Sequence, residues 1–110
     1  MLYYDFKAGD KEYKLKLNTR SIVALEKNIE CNPLMIFGNG DKVPTLSVMV
    51  AVLHASLQQY HHGITLNDTY DIFDEYVADG NSITDFIPVI LEIYKVSGLI
   101  KEGAENTEKN

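Results

Sequence analysis

Three histidines, one cysteine and a row of carboxylates are the side chains of this 110-residue chain with the most chemistry to offer. His54 and His61 stand seven residues apart on one expected helix face, with His62 beside them. Seven helical residues separate the pair by ~10.5 Å along the axis, too far to share a metal ion. They are read as surface imidazoles. Cys31 falls between a helix end and Asn32-Pro33 without a nearby histidine, which suits a small inert residue better than a nucleophile. Asp68, Asp71, Asp74, Glu75 and Asp79 form the densest acidic run. They lack the alternating ligands and internal glycine of a calcium loop. The run therefore reads as a solvated helix face or as an acidic docking surface for a basic partner.

The chain has no glycine-rich phosphate loop, no nucleophile elbow and no metalloprotease helix motif. Ser82, in Gly80-Asn81-Ser82-Ile83, is placed like the serine that carries the prosthetic group of acyl carrier proteins, but the preceding aspartate is absent. A helix cap already accounts for it. The expectation is a non-enzyme with no catalytic residue, no cofactor and no metal site.

Charge narrows the partners. The formal net charge is −6, against a nucleic-acid footprint. Residues 1–42 hold seven bases and six acids, whereas residues 43–110 hold three bases and ten acids. No apolar run approaches the ~18 residues of a membrane span, and no signal-peptide pattern opens the chain. A lone cysteine fits a reducing compartment, so a cytoplasmic protein with no membrane partner is expected.

Residues 1–17 alternate at strand period: Leu2, Tyr4 and Phe6, then Tyr13, Leu15 and Leu17, around a turn at Ala8-Gly9-Asp10. This predicts a β-hairpin with one buried face. From Thr19 the period becomes helical. Asn18 or Thr19 caps a helix with Ile22, Leu25 and Ile29 inside; Asn32-Pro33 starts a short apolar turn, and Gly38–Lys42 is a mobile loop by composition. Thr45–Tyr60 is apolar nearly all round, which suits the middle of a bundle. Thr65 and Asp68 have capping-box spacing before a helix whose expected inner face is Leu66, Tyr70, Phe73, Tyr76 and Val77, with Ile72 near the edge. Ser82 and Asp85 repeat that spacing before the last helix, where Pro88 forces a kink or a distorted start. The reading is α+β, mainly α: a hairpin (1–17) packed on about four to five helices (19–98). Residues 1–100 form one domain, and a disordered acidic tail covers 101–110.

The last helix carries more apolar surface than one core face needs. Ile83, Phe86, Ile87, Ile90, Leu91 and Tyr94 make the expected core stripe; Val89, Ile93, Val96 and Ile100 make a second. Two accounts fit: a helix wedged between two neighbours, or a contact surface for a partner or another copy. The candidate partner-binding set is Val89, Ile93, Val96 and Ile100, with Asp68, Asp71, Asp74 and Glu75 as an acidic face.

The order of signals resembles a known family. A Lys-Glu-Tyr-Lys-Leu-Lys-Leu strand (11–17) leads into Arg20…Leu25-Glu26-Lys27 and then Asn32-Pro33-Leu34. A long apolar helix, Ile64-Thr65-Leu66, an acidic helix and a final helix ending at Ser97-Gly98-Leu99 follow. From about Tyr13 to Leu99 this resembles the tail assembly chaperones of long-tailed, siphovirus-like bacteriophages and prophages of Gram-positive bacteria. The Gly38–Lys42 loop and Pro88 depart from the family's pattern. The resemblance implies a factor in the host cytoplasm, absent from the mature virion, that binds the tape measure protein, keeps it soluble and assists tail tube assembly, with the tail tube protein or a second copy as further partners. It also implies a family often made in two lengths by frameshifting, and it carries over no catalytic residue. The alternative from another class is a small acidic regulatory or antitoxin-like protein that neutralises a basic partner.

Overall fold

Period-two alternation closes the hairpin as its pattern demands. In the computed structural model, which describes residues 2–37 and 43–101, β1 (Tyr4–Ala8) and β2 (Lys11–Leu15) pair antiparallel, with Tyr4 opposite Leu15 and Phe6 opposite Tyr13. Phe6, Ala8, Tyr13 and Leu15 are buried, while Asp5, Lys7, Glu12 and Lys14 face solvent. Gly9 takes φ 63° in the two-residue turn, and its N–H donates to Asp79 Oδ2 at 2.8 Å. A Cβ there would also lie 3.0 Å from Glu75 Oε1, so glycine answers both to the turn and to a close neighbour.

Side-chain caps start the helices. Asn18, rather than Thr19, caps α1 (Thr19–Ile29): its Oδ1 accepts from the Ser21 N–H while Ser21 Oγ accepts from the Asn18 N–H. Asn32 caps a 3₁₀ turn at Pro33–Met35, and Thr45 caps α2 (Leu46–Leu57). The expected boxes at Thr65/Asp68 and Ser82/Asp85 both form. The first opens α3 (Leu66–Ala78). The second opens a 3₁₀ turn, Ile83–Asp85, that runs into α4 (Phe86–Ser97). Pro88 thereby falls in the first turn of α4, where its missing N–H has no intrahelical acceptor to forfeit; the start is distorted, as its position requires. Gly98, at φ 84°, ends α4.

The hairpin therefore precedes four α-helices and two 3₁₀ turns among the described residues. Helix α2 is the central one, packed on α1, α3, α4 and β2, with Val52, Leu53 and Leu57 wholly buried. The inner face of the hairpin meets α3 and α4 through the rings of Phe6, Phe73, Tyr76 and Phe86, whose centroids lie 5.0–5.9 Å apart. Polar pins complete the docking. The Lys16 N–H donates to the Ser56 carbonyl, the Leu17 N–H to Ser97 Oγ, and the Tyr94 hydroxyl to the Pro33 carbonyl at 2.8 Å. Leu99 and Ile100 pack partly against the core. The expected loop at Gly38–Lys42, and the expected tail beyond Lys101, lie outside the described residues.

Candidate functional site

The ridge expected on the last helix does not stand free. Ile93 is 0% exposed and Val89 8%, both in the core; Val96 and Ile100 are half-buried. Between α2 and β1, α4 has neighbours on both flanks, so its two apolar stripes merge into one broad buried face. Val89 and Ile93 are thus corrected from contact surface to core. Of the two accounts of this helix, the wedged one holds. Ile83, expected in the core, is exposed instead, because it belongs to the 3₁₀ turn that precedes α4.

The acidic face lies where it was expected. Asp68, Asp71, Asp74 and Glu75 are all exposed on α3. Asp68 reciprocates the cap, its Oδ2 accepting from the Thr65 N–H at 3.0 Å, and the Thr65 backbone and side-chain hydrogen bonds hold its carboxyl below the usual aspartate value. No salt bridge among the described residues involves an α3 carboxylate, and neither α2 nor α3 carries a lysine or arginine. No group of three or more histidine, cysteine or acidic side chains among the described residues could hold a metal ion.

Helix α3 is rotated about its axis by roughly 60° from the expected orientation, at ~100° per residue. Thr69, Ile72, Phe73 and Tyr76 face inward, whereas Leu66, Tyr70 and Val77 are 43%, 49% and 37% exposed. Thr69 explains the error. Its hydroxyl donates to the Thr65 carbonyl at 2.9 Å, and with that bond made a threonine sits in the core at little cost. Of the outward apolar residues of α3, Tyr70 adjoins Leu46 at the start of α2, itself 46% exposed. Leu46, Ser47, Val50, Tyr70, Phe73 and Asp74 line a groove of about 240 Å³ between the two helices. This stripe was the feature that sequence reasoning missed; the signal available was the surplus of apolar residues on α3 beyond one helix face.

The histidines separate. His61 lies beyond the end of α2, where its Nε2 accepts the outward Lys14 N–H of β2 at 2.9 Å and its ring meets Tyr13 edge-on. Its role is to cover an edge-strand donor, not to sit as a free surface imidazole. Burial, and then the nearby Lys14 charge, push its pKa below the usual histidine value. His54 and His62 instead line a shallow groove between α1 and α2 with Arg20. Cys31 is exposed. Burial, and then the Cys31 sulfur, raise the Tyr94 hydroxyl well above the ordinary tyrosine value, so it remains a donor.

Compared with known proteins, residues 4–110 match the family model described as "Family of unknown function (DUF6096)". No curated protein and no solved structure matches the chain.

Proposed function

The chain belongs to the DUF6096 family, whose function is unknown, and from its residues we propose that it is a phage tail assembly chaperone. In this reading it binds the tape measure protein in the host cytoplasm, keeps it soluble and assists tail tube assembly without entering the finished particle. The observation that carries it is the apolar stripe of Leu46, Leu66, Tyr70 and Val77, which a monomer does not need and which the core leaves uncovered. A tape measure protein is a very long helical chain with apolar stripes that need cover until the tube encloses them. A small helical domain with a spare apolar face supplies that cover in many copies. The order of strand, helix and cap motifs from Tyr13 to Leu99 supports the same reading. Co-expression with the tape measure protein encoded beside it tests the proposal. Co-purification in a soluble complex is expected; an insoluble tape measure protein with the chaperone left free would end it.

The five carboxylates of residues 68–79, unopposed by any base on α3, favour a second reading. There the chain is a small acidic regulator that neutralises a basic partner. A complex that dissolves fully in moderate salt would favour it, because apolar packing survives screening and charge pairing does not.

A further inference from the structure

We propose that the groove between α2 and α3 receives a cationic amphipathic helix of a partner protein. The inference rests on the interaction-protein reading above and deepens it by naming the surface and the chemistry of what it holds. Leu66, Tyr70 and Val77 fall within roughly 60° of one another around α3 and span ~16 Å along it. They form a ridge, not scattered exposures. Beside the ridge, Val50 and Phe73 floor the groove, and Leu46 and Tyr70 wall it. The surface is helical on both sides, with its backbone hydrogen bonds spent inside α2 and α3, so it offers no ladder to an added strand. Apolar anchors at helical spacing fit it instead.

The charge around the groove selects the partner. Asp74 lines it and no lysine or arginine occurs on α2 or α3 to answer it, whereas Asp71, further round α3, lines the depression against β2 together with Lys11. A second copy seated on the same groove by two-fold symmetry would add a second Asp74 carboxylate to it and no base. A helix with apolar residues on one face and lysine or arginine along its flanks meets both features at once.

Two synthetic peptides of ~18 residues test this with the full chain. Both carry leucines at i, i+3, i+4 and i+7; one has lysines on the flanks and the other glutamates. Fluorescence anisotropy should show the lysine peptide binding and the glutamate peptide failing to bind. Leu66→Ser with Tyr70→Ser should weaken the lysine peptide roughly ten-fold or more, with the melting curve by circular dichroism unchanged. Asp71→Lys with Asp74→Lys should reverse the preference, and Leu2→Ser, at a remote exposed leucine, should change nothing. Equal binding of both peptides, or indifference to the Leu66/Tyr70 pair, overturns the proposal. So does concentration-dependent self-association that the same pair abolishes, since a second copy would then occupy the groove. Co-expression keeps the two readings apart. A tape measure protein still captured by the Leu66/Tyr70 variant would overturn this surface and leave the chaperone function standing. Peptide binding as described, with no tape measure protein captured by the wild type, would keep the surface and end the chaperone function.

Discussion

Helices α3 and α4 are near equals in length, and a capping box precedes each, yet the more acidic α3 displays apolar side chains to water while the more apolar α4 hides its own. Helix α4 is held between α2 and β1, and its Tyr94 hydroxyl reaches the Pro33 carbonyl. Every stripe it has finds a neighbour. Helix α3 packs on α2 and on the hairpin, which together cover only its Thr69–Ile72–Tyr76 side. The flank with Leu66, Tyr70 and Val77 stays open. An amphipathic pattern states how much apolar surface a helix brings, whereas the number of neighbours states how much of it is buried.

Charge placed in the covered stripe of α4 should break this contrast most violently. Ile93→Asp buries a carboxylate at a position with no exposure, a cost of several kcal/mol against a total stability of ~5–15. The protein should lose its helical circular dichroism at 25 °C; a folded, monomeric Ile93→Asp would return that stripe to the surface. Leu53→Ala empties a wholly buried position on α2, the helix on which α3 and α4 both pack, and should cost ~2–5 kcal/mol in denaturant titration. Tyr94→Phe leaves the Pro33 carbonyl without its donor and should cost ~1–3 kcal/mol, an effect with no counterpart on α3.

Smaller effects belong to the α3 side. His61 accepts the Lys14 N–H in its neutral form, and its pKa is lowered by burial first and then by Lys14. Tyr13, Lys11, Glu12, Asp68, Asp71 and Glu75 line the same depression. Because the folded state disfavours the imidazolium, the stability it lends is present above ~6.5 and is lost as pH falls below that value towards the folded pKa. His61→Gln, which can still accept a hydrogen bond but does not titrate, should flatten the fall in melting temperature between about pH 7 and pH 5. The smallest effect is expected at Tyr70→Ser, within ~0.5 kcal/mol of wild type. A larger loss would mean that the outer flank of α3 is core after all.

Local chemistry was legible in the residues themselves. The hairpin and its Gly9 turn, the caps at Asn18, Asn32, Thr65 and Ser82, and the stop at Gly98 follow from alternation and from side chains that bond their own backbone within three residues. The acidity of α3 was equally plain, since four carboxylates on one short helix have nowhere to go but water. Orientation was not legible. Thr69 looks like a surface residue until its hydroxyl is seen bonded to the Thr65 carbonyl, which lets α3 bury it beside Ile72 and leave Tyr70 outside. Val89 and Ile93 look surplus until α4 is seen wedged against α2 and β1. His61 looks like a surface imidazole on the same face as His54 until the chain leaves α2 at Leu57 and carries it to Lys14. The sequence by itself determined which elements form and where each begins, because those choices are made by contacts a few residues long. Only the tertiary structure decided which apolar flank meets water, because that depends on how many neighbours a helix has, and those neighbours lie tens of residues away along the chain.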